Sequence, residues 1–476
     1  MMIYGYELSE RVKLPVMIRT VTRLSHMRSD VTVGEIRREE RNPEFDWEGF
    51  SYRVAGFEKL FRRHGERHEK IDSVQELFED LSFNKLKLRE GKRGIIGVGF
   101  AFNYVLDSLN ESGLIDEVSY LKLASPYPMP ERIVSSLLEK CETVLVVEEV
   151  DQFVELHVKA LVQEKGLKVN VVGRKTGHLP REGELSPVIM DRVISGLLGK
   201  TVNHIDRSEL DEEVKETLFD RMLTLCAGCP HRSSIYSLKK AVEKVKGSLE
   251  GVVVNGDIGC YGLAHAPPMS FEDTYFCMGA SIGVSQGMSK VGVDTIAWIG
   301  DGTFFHSGLP ALFNAVVNNT PIKIVVADNG TTAMTGFQPN PQTGITAMGV
   351  PSKKIMIEDV VRALGVEHVE VVDASDLEAS EAAFTRMLEA DSVAMVISRR
   401  LCATEELRQM RPNKPVPYAV QSDSCTGCRI CLTQFGCPAL MWNEEMGVSE
   451  IDSTLCTGCG VCSQVCPQTV IFREEA

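Results

Sequence analysis

The chain has 476 residues, room for roughly three or four domains of ~100–200 residues each. It is 43% apolar and 25% charged, a globular mix that excludes collagen-like, coiled-coil and disordered classes. Its 51 basic and 66 acidic residues give a net charge of −15, which excludes nucleic acid or an anionic membrane surface as the main partner. No apolar run reaches the ~18 residues of a membrane span. The opening MMIYGYELSERVKLP lacks the basic, apolar and small-residue regions of a secretory signal, so the expected compartment is the cytoplasm.

Residues 1–45 contain a strand-like run, Leu14-Pro-Val-Met-Ile-Arg, and then a polar stretch. Residues 46–92 are charged, with EKLFRRHGERHEK at their centre, and read as a solvated connecting segment with one or two helices. From Gly94 an apolar run, glycines and a helix-compatible pattern alternate, with Thr143-Val-Leu-Val-Val the clearest strand. This alternation predicts a parallel sheet covered by helices over 93–194. Gly97 and Gly99 do not complete a GxGxxG, because Phe102 holds the third position. A second α/β unit spans 195–412, with buried parallel strands predicted at Gly251-Val-Val-Val-Asn, Thr295-Ile-Ala-Trp-Ile-Gly, Ile322-Lys-Ile-Val-Val-Ala and Ser392-Val-Ala-Met-Val-Ile. Between the last two, Asp376 to Leu388 reads as an amphipathic helix. Arg411-Pro-Asn-Lys-Pro-Val-Pro is a linker to a cysteine-dense tail, 416–476.

Eight of the fourteen cysteines lie between Cys425 and Cys466, Cys226 and Cys229 form a tight pair, and four stand apart. Disulfides suit oxidising compartments and small secreted folds; CxxC spacing in a large cytosolic protein reads as metal or iron–sulfur ligation. The tail contains Cys425-x2-Cys428-x2-Cys431-x5-Cys437-Pro and Cys456-x2-Cys459-x2-Cys462-x3-Cys466-Pro. Each CxxCxxC directs three thiolates at one cubane, and the distant cysteine before proline ligates the other cluster. One [4Fe-4S] cluster is therefore expected on Cys425, Cys428, Cys431 and Cys466, and a second on Cys456, Cys459, Cys462 and Cys437. The two extra residues before Cys437 are expected in a loop. Zinc knuckles are the competing reading, but zinc takes its four ligands in two pairs.

Gly300-Asp301-Gly302 ends a predicted strand, and 26 residues later Asn329 follows the next one. A loop, a helix from Gly308 to Asn318 and a strand fit between them. Asp301 and Asn329 then sit at the carboxyl ends of adjacent parallel strands, where open α/β sheets bind ligands. A carboxylate and an amide oxygen, completed by a backbone carbonyl and phosphate oxygens, suit Mg²⁺. Gly302 permits close approach of a diphosphate at a helix start, as in thiamine diphosphate binding. A plain surface turn is the alternative.

Together LCAGCPHR (225–232), NGDIGCYGLA (255–264), GDGTFFHSG (300–308), DNGTTAMTGFQ (328–338), SRRLCA (398–403), SERVKLPVMIRTVTRLSH (9–26) and the tail make the chain resemble the 2-oxoacid:ferredoxin oxidoreductases, in particular the alpha-subunit branch acting on indolepyruvate. The resemblance implies a remnant of a pyrimidine-binding domain at 1–45, a transketolase C-terminal-like domain at 93–194, a thiamine diphosphate-binding domain at 195–412 and a two-cluster ferredoxin-like α+β domain at 416–476. It implies side-chain magnesium ligation by Asp301 and Asn329, a backbone carbonyl from Thr331, and diphosphate contacts from Gly302 and Thr303. It places a third cluster on Cys226, Cys229, Cys260 and Cys402; the other reading makes these a turn and small core residues. Cys141 and Cys277 are left as buried structural thiols. His231 and His306 either contact cofactor or substrate, or pack and cap. The family's GYPGTP-like motif and activating glutamate are absent from this sequence, so no catalytic residue is named, and the rest of that domain is expected on another polypeptide or lost by truncation. The implied activity is oxidative decarboxylation of an arylpyruvate with coenzyme A and ferredoxin, in a hetero-oligomer with a beta subunit. The alternatives are an electron-transfer subunit without catalysis and an oxidoreductase for an aliphatic 2-oxoacid.

Overall fold

Runs of valine and isoleucine bounded by glycine or proline become strands here because β-branched side chains fit a sheet covered on both faces. The computed structural model describes residues 1–36, 57–200, 202, 208–218, 223–411 and 415–474. Parts of the two predicted connections, at 46–56 and 412–414, and parts of the segments predicted at 1–45 and 195–412, at 37–45, 201, 203–207 and 219–222, lie outside the described residues. The chain divides into two units, 1–218 and 219–476. Among the described residues no helix is long and apolar enough to cross a membrane.

In the first unit β1 (Lys85–Lys87), β2 (Arg93–Val98), β3 (Ser119–Leu123), β4 (Thr143–Val147) and β5 (Asn170–Val172) form a sheet of order β1-β3-β2-β4-β5, antiparallel only at β1. A Cβ on Gly97 would lie 2.7 Å from the Phe102 ring, so this glycine lets the helix Ala101–Glu111 pack close against β2. The segment before the sheet holds a 23-residue helix, Phe57–Glu79. Its last residue is buried, and the Glu79 carboxylate accepts the amides of Arg132 and Ile133 at 2.7 and 2.8 Å. It thereby satisfies orphan donors at the start of the helix Glu131–Lys140. The strand-like run at Leu14 forms no strand. A helix, Met2–Val12, precedes it, Val16 and Met17 are exposed, and no neighbouring strand supplies a ladder; Pro15 also lacks a donor.

In the second unit β6 (Val252–Gly256), β7 (Thr274–Tyr275), β8 (Asp294–Gly300), β9 (Lys323–Asp328), β10 (His368–Asp373) and β11 (Ala394–Arg399) form a wholly parallel sheet of order β10-β11-β9-β8-β6-β7. The chain leaves β6 toward one edge and crosses to its other side at β8, which makes a topological switch point between their carboxyl ends. Alternation along β8 sends Ile296 and Trp298 into one core, with the helices Pro230–Lys246 and Leu377–Glu389, and Ala297 and Ile299 into the other, with Phe304 and Leu312. The loop predicted from 302 to 307 is helical instead. A continuous run starts at Asp301, passes a π turn at Phe304–Gly308 and continues as Leu309–Val317.

The tail carries two short antiparallel pairs, β12 (Tyr418–Val420) with β15 (Ile471–Arg473) and β13 (Leu440–Asn443) with β14 (Val448–Ile451). The two extra residues before Cys437 are absorbed by a π turn, Cys431–Phe435, closed by Gly436 at φ 59°, where the second half has a helix, Val461–Val465. Phe435 packs with Val461, Val465 and Leu377, and meets the Tyr236 ring edge-on at 5.9 Å. Gln464 holds the Leu377 amide and the Ser375 carbonyl at 3.1 and 2.8 Å. Truncation of a buried phenylalanine costs about 3–5 kcal/mol. Phe435→Ala is therefore expected to loosen the tail, read as cleavage near 412–430 in limited proteolysis at temperatures where the parent protein is intact.

Candidate active site

β8 and β9 are parallel neighbours with Gly300 opposite Ala327, and their carboxyl ends carry the residues singled out in the sequence. Asp301 is 3% exposed; its Oδ1 accepts the Gly302 amide and its Oδ2 the Asn340 side-chain amide, both at 2.8 Å. Asn329, one residue past β9, is buried. Its Nδ2 lies 3.2 Å from His231 Nε2, and its Oδ1 accepts the Thr331 amide at 3.3 Å across a turn that needs Gly330 at φ 71°. A Cβ on Gly302 would collide with Thr332. Thr303 donates its hydroxyl to the Ile258 carbonyl at 2.9 Å, tying the end of β8 to the loop after β6. Asp301, Gly302, Thr303, Asn329, Thr331 and His231 thus meet at one sheet edge.

A second acid, missed in the sequence, stands beside them. Asp328 is 2% exposed and its carboxyl acts on that of Asp301. Burial first, and the Asp328 charge second, push the Asp301 carboxyl up to about 8. Arg399 Nε donates to Asp328 Oδ2 at 2.6 Å, while its two remaining nitrogens hold Glu358 at 2.9 and 2.7 Å. The acid pair is neutralised on the Asp328 side alone. Asp328 is already engaged by Arg399 and the Gly330 amide, whereas the Asp301 carboxylate and the Asn329 side-chain oxygen are hard-oxygen donors of the kind Mg²⁺ takes.

Burial lowers the His231 pKa to about 4 against the opposing charge of Asp328, so a neutral imidazole sits edge-on to the Tyr261 ring at 5.6 Å. His306 does not join it: it is exposed, with Nδ1 3.1 Å from the Ser307 hydroxyl.

Cys226 and Cys229 make the turn into the helix Pro230–Lys246, Cys260 opens a 3-10 turn after β6, and Cys402 precedes the helix Ala403–Met410. The Cys402 amide donates to the Asn329 carbonyl at 3.0 Å. These four thiols act on one another: Cys226 and Cys260 on Cys229, Cys402 and Cys226 on Cys260. Burial is the larger effect and lifts Cys229 to about 12 and Cys260 to about 11. In the tail, Cys425, Cys428, Cys431 and Cys466 line one small pocket. Cys437, Cys456, Cys459 and Cys462 line another, whose wall also includes Gly228 of the Cys226–Cys229 turn. Each cavity takes three thiols from one half of the tail and one from the other. Among the described residues no group of three His, Cys, Asp or Glu side chains is placed to hold a single metal ion. No disulfide joins any of the fourteen cysteines. Cys141 is buried, but Cys277, expected to be buried, is exposed on the loop that joins β7 to the helix Ala280–Lys290.

Glu272 was also missed. It sits at φ 73° before β7, with both carboxylate oxygens buried and without a hydrogen-bond partner. A Cβ on Gly256 would lie 2.5 Å from its carboxyl carbon. Burial, then the Asp257 charge, raise its pKa to about 8. An acid whose folded pKa exceeds its unfolded value holds a proton only in the folded state between the two. Its contribution is full below the unfolded value of about 4.3 and is lost as pH rises through about 8. Glu272→Gln removes this slope. Its stability advantage over the parent is expected to grow with pH to about 1–3 kcal/mol, the cost of an unsatisfied buried group, measured as urea midpoints from pH 5 to pH 9.

Residues 257–398 match the C-terminal thiamine pyrophosphate-binding domain of thiamine pyrophosphate enzymes, and residues 449–472 match a 4Fe-4S binding domain. The indolepyruvate oxidoreductase subunit IorA of Thermococcus kodakarensis is 38% identical over 488 residues, covering 98% of this chain and 74% of its own. The subunit of the same name from Methanothermobacter marburgensis is 40% identical over 480 residues, covering 99% of this chain and 74% of its own. A solved 2-oxoglutarate:ferredoxin oxidoreductase from Magnetococcus marinus aligns at 20% identity and a TM-score of 0.35, over 40% of this chain and 68% of that one.

Proposed function

The chain belongs to the indolepyruvate oxidoreductase IorA family of thiamine-dependent 2-oxoacid oxidoreductases, and from this membership we propose that it oxidatively decarboxylates an arylpyruvate such as indolepyruvate to the aryl-acetyl-CoA, releasing carbon dioxide and reducing ferredoxin. The observation that carries the reading is a contiguous row of sites within one unit. The Asn329 carbonyl accepts the Cys402 amide, Cys402 acts on Cys260, and the Cys226–Cys229 turn lines a tail cavity through Gly228.

Thiamine diphosphate supplies an electron sink for decarboxylation, and iron–sulfur clusters accept the released electrons singly. Asp301 and Asn329 bind Mg²⁺ through their side chains and Thr331 through its carbonyl, while Asp328 and Arg399 hold Asp301 in place. Gly302 and Thr303 would contact the diphosphate, and neutral His231 orients Asn329. Cys425, Cys428, Cys431 and Cys466 hold one [4Fe-4S] cluster; Cys437, Cys456, Cys459 and Cys462 hold a second. Cys226, Cys229, Cys260 and Cys402 hold a third between these and the thiamine site. The protein works in the cytoplasm with a beta subunit, ferredoxin, coenzyme A and a 2-oxoacid.

Anaerobically purified protein is expected to contain iron and acid-labile sulfide at about eight atoms each for the tail and about twelve with the third cluster. Asp301→Ala should weaken Mg²⁺–thiamine diphosphate binding by at least ~10–100-fold, the range for losing even a supporting group, with the iron content unchanged; unaltered binding in titration calorimetry would sink the site. With the beta subunit and coenzyme A added, dye reduction should be faster on indolepyruvate than on pyruvate or 2-oxoglutarate.

A further inference from the structure

Arg232 is wholly buried, at 0% exposure, in the first turn of the helix Pro230–Lys246. One terminal nitrogen donates to the carbonyls of Phe435 and Gly436 at 3.0 and 2.7 Å; the other donates to the Leu225 carbonyl at 2.7 Å and the Thr224 hydroxyl at 3.3 Å. Gly436 directly precedes Cys437, and Leu225 directly precedes Cys226. One guanidinium therefore grips the backbone next to a cysteine of the tail and next to a cysteine of the Cys226–Cys229 turn.

Every one of these partners is neutral. Among the described residues no carboxylate pairs with Arg232, and its Nε is buried without a hydrogen-bond partner. A buried cation is tolerated only when an anion lies close. The groups that face it in place of a carboxylate are the sulfurs of Cys437, Cys229 and Cys226, which as thiolates oppose the downward pull of burial on its pKa. Four thiolates around a [4Fe-4S] core leave net negative charge, and reduction adds more.

We infer that Arg232 is the counter-cation shared by the Cys226–Cys229 site and the cluster on Cys437, Cys456, Cys459 and Cys462, fixing their spacing and raising the potential at which the latter accepts an electron. This rests on the reading of those cysteines as cluster ligands. A positive charge stabilises the reduced, more negative state, so its removal lowers the potential. The cluster on Cys425, Cys428, Cys431 and Cys466 has no contact with this guanidinium and serves as an internal reference.

The test is a redox titration followed by electron paramagnetic resonance on the anaerobically purified, full-length, cluster-loaded protein. Arg232→Gln should shift the cluster containing Cys437 to a more negative midpoint potential, leave the reference cluster unmoved and retain iron and sulfide. Arg232→Lys should restore the parent potential. An unshifted Gln variant, equal shifts in both clusters, or a Lys variant that shifts as far as Gln would overturn the inference. If the Gln variant loses iron, the Lys variant decides: a parent-like potential upholds the role of charge and a lowered one overturns it. Absence of acid-labile sulfide from the parent protein would instead overturn the ligand reading itself.

Discussion

The parallel pairing of β6, β8, β9 and β11 ends four strands on one edge of the sheet, and the polar groups of the thiamine site hang from that edge. Backbone groups there have left the ladder and need other partners. The Tyr261 hydroxyl accepts the Gly300 amide at 3.0 Å, Thr303 reaches the loop after β6, and Asn329 accepts the Cys402 amide after β11. Each bond crosses from one strand end to another, so the site is a cross-braced rim. Gly302 and Gly330 complete it, the first because of Thr332 and the second because of its positive φ.

Charge is distributed unevenly over the same unit. Asp257, Glu272, Asp301 and Asp328 gather at the strand ends, and burial raises three of them, Asp257 to about 6 and Glu272 and Asp301 each to about 8. Asp257 is satisfied as the cap of the helix Ala280–Lys290, accepting the Ala280 amide at 2.9 Å. Asp328 has Arg399. Asp301 has no cation beside it and accepts only the Gly302 and Asn340 amides. At the cysteine junction the imbalance is reversed, with a buried guanidinium among thiols. Acid thus gathers at one end of the unit and a lone buried cation at the other.

What could be read from the sequence was whatever depends on short-range spacing. In each half of the tail three cysteines sit within a few residues of one another, so that part of their grouping follows from local turn geometry, and the fourth follows from the known exchange between the halves of such a motif. Asp301 and Asn329 flank a strand–helix–strand unit whose apolar runs were plain, which brought them to neighbouring strand ends. Asp328, Arg399, Glu272 and Arg232 were not legible because their significance comes from partners far along the chain: Arg232 lies 204 positions from Gly436. The helix starting at Asp301 was hidden by two glycines with low intrinsic helix propensity, overridden by packing of Phe304 in the core. Leu14 to Arg19 shows the opposite failure, a strand-like pattern with no strand to pair with.

The π turn at Cys431–Phe435 has a consequence for how freely this tail can be exchanged. Five residues separate Cys431 from Cys437, against three between Cys462 and Cys466, and the surplus pair supplies room for the Phe435 and Gly436 carbonyls held by Arg232. A free ferredoxin with the shorter spacing in both halves could fold around its own cubanes yet offer no matching grip. The lengthened turn works as a key cut for one lock: a grafted module lacking it would carry electrons well enough alone and still fail to seat.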